Sequence, residues 1–282
     1  MSEQPHWDWE IKTESSWFGV SLKELYSYKD LLLSLTRKEF LGSYQQTLLG
    51  PFWVLLQPLL TVLIYVLVFN KVIGISTGKT PPMLFNLIGI TLWTLFSEIF
   101  LNTAKTFTQN AEVFGKIYFP RIIVALSGLW LQIILFGVQM LFLFGVYLFF
   151  VLTGHVNLTL SHIWAIVPVI ITTAGIGFGA GLIFSILTAK YRDLMALIQL
   201  IIRLLMFVCP IFFTISMVPA RVRWLVDLNP LSVQFELFRY AFISQGSVTA
   251  IQVLYSTGFM CALVFFGILL FNKMSDKLMD VI

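Results

Sequence analysis

Residues 122–152 read IIVALSGLWLQIILFGVQMLFLFGVYLFFVL, a run without a single Asp, Glu, Lys or Arg. An α-helix needs about twenty consecutive apolar residues to cross the roughly 30 Å hydrocarbon core of a bilayer. This run is longer than that, so it predicts a membrane-spanning helix that tilts or extends beyond the bilayer.

Similar apolar blocks recur along the chain. Of its 282 residues, 58% are hydrophobic and only 11% are charged, whereas a soluble domain carries about 25% charged residues to cover its surface. The blocks predict an all-α membrane protein with six transmembrane helices, over residues 49–73, 83–107, 122–152, 163–189, 194–217 and 250–272.

Basic residues predict the orientation of the chain, because cytoplasmic loops of membrane proteins are enriched in Lys and Arg. With the N terminus inside, twelve of the eighteen lie on the cytoplasmic side, five lie outside, and Arg203 falls within the fifth span. Both termini are therefore predicted to be cytoplasmic, and the net charge of +4 is attributed to loops rather than to nucleic-acid binding. The acidic, aromatic N-terminal residues lack the apolar core of a cleavable signal peptide.

An amphipathic helix is predicted before the first span, over residues 21–41. Its apolar stripe consists of Leu22, Leu25, Tyr26, Leu32, Leu33 and Phe40. Such a helix can lie on the cytoplasmic membrane surface, or it can pack against another part of the same protein. The sequence favours neither alternative.

Residues 218–247 form the least regular part of the sequence. They contain Pro219, Asn229 and Pro230 and are too polar to cross a bilayer. Irregular backbone at membrane depth is tolerated where protein or a wet cavity surrounds it. The segment therefore predicts two short re-entrant helices in the outer leaflet.

Two glycine-rich strings resemble nucleotide-binding motifs but are interpreted otherwise. Residues 74–80, GISTGKT, have one residue too few between the glycines for a phosphate-binding loop and follow no predicted strand, so they predict a turn. Residues 175–181, GIGFGAG, lie inside a predicted span. The pairs Gly175/Gly179 and Gly177/Gly181 there predict a smooth surface for close helix packing.

Two ionisable residues, Glu98 and Arg203, fall well inside the predicted spans. Each costs about 2.5–3.5 kcal/mol at the centre of a membrane helix, so such residues usually have a function. One interpretation is that both face the protein interior and pair with each other. The other is that Glu98 snorkels to the membrane interface.

No constellation for covalent chemistry is found in the spans. The three histidines and two cysteines lack ligand-like spacing, so we expect no metal site. A proton-driven pump would show a relay of Asp, Glu or His at membrane depth. The pattern favours a permease that is driven by a partner protein.

Four strings of the sequence carry a family resemblance. They are LGSYQQTLLGPFW at residues 41–53, followed by Gln57-Pro58, VFGKIYFPR at 113–121, YRD at 191–193, and DLNP at 227–230 with Arg239. In this order they resemble the approach to the first span, the first cytoplasmic loop, the second loop and the re-entrant region of ABC-2 type polysaccharide export permeases. The matches run in order along the chain, and its length and N-terminal extension are most similar to those of lipopolysaccharide O-antigen exporters.

The resemblance implies an architecture and partners. It implies a cytoplasmic N-terminal segment over residues 1–48, an ABC-2 type transmembrane domain over 49–275 and a cytoplasmic tail over 276–282, in a bacterial inner membrane. It also implies a homodimer bound to two copies of a cytoplasmic ABC ATPase, which binds the ATP and Mg, while this chain holds no cofactor. The implied substrate is an O-antigen polysaccharide linked to undecaprenyl pyrophosphate, and capsule and teichoic acid exporters are close relatives.

The resemblance also implies a surface that couples the permease to the ATPase. Residues 110–118 would form a short helix seated in a cleft of the ATPase, although a helix on the lipid surface is the alternative. The residues of this surface would be Asn110, Glu112, Val113, Phe114, Lys116, Ile117, Tyr118, Arg121, Tyr191, Arg192 and Asp193.

Substrate contacts are expected near the first span. Many family members have basic residues where Ser43 and Gln45 stand here, so the pyrophosphate contact would pass to Arg37, Lys38 or others. Aromatic faces stack on sugar rings, and the candidates on the first span are Phe52, Trp53 and Tyr65. Glu98 and Arg203 complete the predicted substrate path.

An alternative function from a different class is a membrane-embedded polyprenyl glycosyltransferase. It would need carboxylates in a long loop, and the longest outer stretch offers Asp227 and Glu236. We expect a transporter subunit rather than an enzyme, with no catalytic residue in this chain.

Overall fold

The computed structural model describes residues 22–279, except 46, 111–118, 159–161, 192, 245 and 247. This part of the chain forms helices and no strand, as predicted. In chain order the α-helices are α1 (Leu22–Ser27), α2 (Lys29–Tyr44), α3 (Trp53–Tyr65), α4 (Pro82–Ala104), α5 (Ile122–Leu152), α6 (Ile166–Lys190), α7 (Leu194–Val208), α8 (Ala220–Leu228), α9 (Pro230–Ile243) and α10 (Ala250–Met279).

Five helical segments of the described chain are long and apolar enough to cross a membrane. They are Gly50–Val72, Pro82–Ala104, Ile122–Leu152, Ile163–Lys190 and Ala250–Met274. These segments coincide with five of the six predicted spans. The first combines three helix types, because a 3-10 turn at Gly50–Phe52 leads into α3 and a π-helix at Val66–Val72 follows it.

The helix in the predicted fifth span is shorter than expected. Residues 194–217 predict one helix, but α7 ends at Val208 after 15 residues, or about 22 Å, which is less than the bilayer core. Cys209 is extended, as the residue before a proline tends to be, and Pro210 has no N–H to continue the helix. The following backbone packs onto α4 at Gly89, where a Cβ would lie 2.8 Å from the carbonyl oxygen of Ile211.

Two short helices, α8 and α9, form the segment for which two were predicted. Asn229 caps α9: its Oδ1 accepts a hydrogen bond from the backbone N–H of Leu231 at 3.0 Å, and Pro230 occupies the first turn. α9 is almost completely buried against α4, α6 and α10, whereas α8 is mostly exposed. The polar residues of α9 are therefore enclosed by protein.

Helix α6 approaches two neighbouring helices closely through its glycines. On one face, a Cβ on Gly175 or Gly179 would collide with α10, and from Gly179 it would lie 2.6 Å from the backbone nitrogen of Val264. On the other face, a Cβ on Gly177 or Gly181 would approach α4 to 3.0 Å or less. The predicted helix packing is confirmed, and each glycine pair contacts a different neighbour.

The N-terminal helix α2 packs against α5. Leu35 and Thr36 are buried there, and Thr36 Oγ1 lies 3.4 Å from the carbonyl oxygen of Ser127, to which it donates. Of the two alternatives left open by the sequence, the structure therefore shows packing on the same protein. Tyr26 and Leu33 of the predicted stripe stay exposed.

Residues 74–80 form a turn between the π-helix and α4. Gly74 and Gly78 have φ angles of 83° and 65°, which favour glycine, and Thr77 Oγ1 donates to the carbonyl oxygen of Thr80 at 2.7 Å. The prediction of a structural turn is confirmed.

Candidate functional site

A cavity of about 900 Å³ lies among α2, α3, α4, α5 and α7. We call it the polar cavity. Its polar lining residues are Lys38, Glu39, Ser43, Tyr44, Gln57, Thr61, Thr94, Ser97, Glu98, Asn102, Lys105, Gln109, Asn110, Gln132, Gln139, Gln199 and Arg203. In a chain that is 58% hydrophobic, so many polar groups on one cavity wall require an explanation.

Helix α4 shows how the cavity extends along the helix bundle. Its lining positions run from Ile90 to Lys105, and at 1.5 Å per residue this corresponds to about 22 Å. Thr94, Glu98 and Asn102 lie between these ends, four residues apart as one helix face requires. The cavity is therefore elongated parallel to the helices.

Amide side chains supply much of the polarity. Gln57, Gln132 and Gln199 come from three different helices, α3, α5 and α7. Gln139 on α5 donates through Nε2 to the carbonyl oxygen of Val54 at 3.3 Å, while its buried Oε1 has no hydrogen-bond partner in the described chain. Amides both donate and accept, so this lining can exchange hydrogen bonds with hydroxyl groups in either direction.

Aromatic rings line the cavity beside the amides. Tyr44, Trp53, Tyr65 and Trp93 all contribute to the wall, and Trp53 is 43% exposed. Tyr65 also packs edge-on against Phe212, with ring centroids 4.6 Å apart. This contact joins the cavity wall to the irregular segment that follows α7.

Charged residues on the wall carry both signs. Lys38, Lys105 and Arg203 are basic, while Glu39 and Glu98 are acidic. Glu98 and Arg203 both line the cavity, so the prediction that they face the interior agrees with their position. In the described chain, however, no ion pair within 4.0 Å joins them, and the predicted pairing is not formed.

Glu39 is a partly buried carboxylate at the junction of α2 and α5. Its Oε1 accepts a hydrogen bond from Ser127 Oγ at 3.3 Å, and its buried Oε2 has no partner in the part of the chain that the structure describes. Burial raises the pKa of Glu39, and the Ser127 hydrogen bond and the positive charge of Lys38 oppose this shift. Burial, and then the negative charge of Glu98, raise the pKa of Tyr44.

The structure brings most of the predicted path residues together. Lys38, Trp53, Tyr65, Glu98 and Arg203 line the polar cavity, although they come from four helices. Arg37 and Phe52 are exposed and lie outside its lining.

Sequence reasoning missed the glutamines Gln57, Gln132, Gln139 and Gln199. The available signal was an amide within an apolar span, where a polar side chain is costly without a partner.

The predicted coupling residues are described only in part. Residues 111–118 and 192 lie outside the described residues, which includes Glu112, Val113, Phe114, Lys116, Ile117, Tyr118 and Arg192. Of the others, Asn110 donates through Nδ2 to the carbonyl oxygen of Thr106 at 3.1 Å. Tyr191 and Asp193 are exposed, and Arg121 is partly exposed.

Possible metal ligands do not gather in the described chain. No group of three His, Cys, Asp or Glu side chains there could hold a metal ion. Cys209 and Cys261 are free thiols, one buried and one exposed. The cysteines therefore do not form a disulfide with each other.

Fold and cavity together define a multi-pass membrane protein with an elongated polar cavity between its helices. The model of the ABC-2 type transporter family matches residues 30–243, and the chain belongs to this family. Membership implies a partner ATPase, because ABC transporters are powered by ATP.

Relatives with assigned names match over most of the chain. Two proteins of Klebsiella pneumoniae, both named O-antigen export system permease protein RfbA, are 28% identical to it. One matches over 93% of this chain and 100% of its own length, and the other over 90% and 95%. A Myxococcus xanthus protein of the same name is 32% identical over 35% of this chain and 37% of its own length.

Proposed function

We propose that this chain is the permease subunit of an ABC exporter that moves lipid-linked O-antigen polysaccharide across the bacterial inner membrane. The lipid carrier is undecaprenyl pyrophosphate. Two copies of the chain form a homodimer, and two copies of a separate ATPase provide the energy. The chain itself is a transporter subunit and has no catalytic residue.

The observation that carries this proposal is the composition of the polar cavity. A sugar polymer presents hydroxyl groups in every direction and flat faces on its rings. Gln57, Gln132 and Gln199 suit the hydroxyls, and Trp53 and Trp93 suit the ring faces. The cavity extends about 22 Å along α4, which covers most of a roughly 30 Å hydrocarbon core. The names of the Klebsiella relatives support the same substrate.

The proposed topology has six crossings with both termini in the cytoplasm. The five long segments account for five crossings. The remaining crossing, which is the fifth in chain order, is made by α7 together with the residues that follow it. α8 and α9 then form the re-entrant pair near the outer surface. The excess of Lys and Arg on the proposed inner side supports this orientation.

The ATPase is proposed to bind the cytoplasmic loops. Residues 110–118 supply the coupling helix, and Tyr191 and Asp193 extend the same surface. Tyr191 and Asp193 are exposed just before α7 begins at Leu194, where a partner can reach them.

Lys38 is the proposed contact for the pyrophosphate. It lines the polar cavity near its cytoplasmic end, as does Lys105, so two helices present a positive charge there. Arg37 lies outside the lining, and we assign it to the approach of the substrate from the membrane surface.

The glycosyltransferase alternative loses support from the state of its candidate carboxylates. Glu236 is buried and paired with Arg239 at 3.1 Å, and Asp227 is paired with Arg223 at 3.7 Å. Neither carboxylate lines the polar cavity.

Deletion of the gene in its native bacterium tests the proposed function. The deletion strain should lose surface O-antigen, and a plasmid copy of the unmodified gene should restore it. Staining with O-antigen, capsule and teichoic acid reagents separates the close alternatives. Normal surface O-antigen in the deletion strain would contradict the proposal, and loss of a different polymer would reassign the substrate.

A further inference from the structure

A second cavity, of about 340 Å³, lies between α4, α6, α7, α10 and the start of α9. We call it the apolar cavity. Phe96 and Phe100 form its wall on α4, Ile198 and Ile202 form it on α7, and Phe259 closes it from α10. Unlike the polar cavity, it is lined almost entirely by hydrocarbon side chains.

The single polar side chain in this lining has its hydrogen bonds satisfied by protein. Asn229 donates through Nδ2 to Cys209 Sγ at 3.3 Å and accepts at Oδ1 from the backbone N–H of Leu231 at 3.0 Å. A buried water needs two to four polar partners and a peptide segment needs more, whereas the only polar side chain in this lining is Asn229, which already bonds to Cys209 and Leu231. The lining therefore fits a hydrocarbon chain.

The apolar cavity is open to the outside of the chain at two apolar side chains. They are Ile201 on α7 and Phe259 on α10, which are 50% and 39% exposed. We place the entry of the hydrocarbon chain on this side.

The polar and apolar cavities share their walls. On α4, Phe96 and Phe100 face the apolar cavity, while Ser97 and Glu98 face the polar one. On α7, Ile202 lines both cavities. A molecule that carries both a sugar polymer and a hydrocarbon chain could therefore contact both sides of the same two helices.

We infer that the apolar cavity binds the hydrocarbon chain of the lipid carrier to which the exported polymer is attached. This inference rests on the proposed function. The carrier is favoured over a bulk phospholipid because only the carrier brings a polymer that adds contacts in the adjacent polar cavity. The pyrophosphate stays outside the apolar cavity, because the lining contains no basic side chain to bind it.

Photolabelling tests this inference on the complete transporter. A polymer-linked polyprenyl pyrophosphate that carries a diazirine in its prenyl chain is added to membrane vesicles that contain the full chain and its ATPase. The labelled peptides are then mapped by mass spectrometry. Label should concentrate in α6 and α7, and an excess of the same molecule without the diazirine should reduce it about tenfold, whereas excess phosphatidylglycerol should not.

A cavity-filling variant with a matched control sharpens the test. Ala180 lines the apolar cavity, so Ala180→Leu should reduce labelling there about tenfold. Ala262→Leu adds the same atoms at an exposed position of α10 and should leave the labelling unchanged. Mapping in the unmodified chain keeps the test valid even if the Ala180 variant does not fold.

Several outcomes would overturn the inference. They are equal competition by phosphatidylglycerol, label spread over the exposed faces of α5 and α10, and unchanged labelling in folded Ala180→Leu. The deletion experiment reports independently on the proposed function. If labelling fails while the gene still restores surface O-antigen, the inference is wrong and the proposed function stands.

Discussion

Arg239 is a fully buried guanidinium on α9. Its Nη1 donates to Glu236 Oε1 at 3.1 Å, and its guanidinium carbon lies 4.4 Å from the centroid of the Phe85 ring. Nε and Nη2 have no hydrogen-bond partner in the described chain. Glu236 also accepts from the backbone N–H of Ile215 at 3.3 Å. Glu236 therefore connects α9 to the segment after α7 by hydrogen bonding to both Arg239 and Ile215.

Removal of Glu236 should destabilise the protein strongly. Glu236→Ala leaves Arg239 as a buried charge without its partner, which costs about 3–5 kcal/mol in the free energy of unfolding. Thermal unfolding in detergent measures the effect. As a control, Asp227→Ala breaks the exposed pair with Arg223 and should cost less than about 1 kcal/mol. Equal losses in both variants would show that the buried pair is not important for stability.

Glu39 should make stability depend on pH. Its raised pKa means that the folded state holds the proton more tightly than the unfolded state does. This contribution is fully present below the ordinary pKa of 4.5 and is lost as the pH rises through the higher folded value. Unfolding temperatures of the wild type and Glu39→Gln should therefore diverge as the pH rises above 4.5. Parallel curves would contradict the assignment.

At the scale of elements, the glycines of α6 set the distances to α4 and α10. Gly179→Ala should cost about 1–3 kcal/mol, because the new Cβ would meet the Val264 backbone at 2.6 Å and backbone cannot move aside cheaply. Gly137→Ala on α5 meets nothing within 4 Å and should stabilise by about 0.4–1 kcal/mol. Unfolding temperatures that shift in the same direction would refute this account of the packing.

The segment before α5, residues 110–118, is proposed to receive force from the ATPase. Phe114→Asp should weaken ATPase binding about thirtyfold, the equivalent of losing a 2 kcal/mol anchor. Leu158→Asp is the control, since Leu158 is exposed in the loop beyond the opposite end of α5. Co-purification of the ATPase with each variant measures the effect. A Phe114→Asp chain that retains its ATPase would contradict the coupling assignment.

The element boundaries show where sequence reasoning succeeds and where it fails. Apolar length locates Ile122–Leu152 to the residue, because composition alone determines whether a helix can lie in lipid. The end of α7 at Val208 was missed because residues 209–217 are also apolar. Pro210 was the available signal, and it outweighs hydropathy in deciding where a helix stops.

For the whole molecule, the sequence predicted the positions of five long apolar helices but not the cavity between them. Glu98 and Arg203 were identified because a charge in an apolar span is conspicuous. Gln57, Gln132 and Gln199 are less conspicuous, and only tertiary packing shows that their separate helices face the same space. The Glu98–Arg203 ion pair was predicted wrongly for the same reason. Equal depth in a bilayer does not determine which helix faces are neighbours.

A sugar polymer is proposed to pass through the polar cavity. A photoreactive amino acid in place of Gln57, which lines this cavity, should crosslink to O-antigen polymer in living cells that export it. In place of Leu148, an exposed residue of α5 outside the cavity lining, it should not. Detection of the polymer on the purified chain with an O-antigen antiserum decides the matter. Polymer on the Gln57 variant alone is the predicted result, and no polymer there, or equal amounts on both variants, would contradict the account.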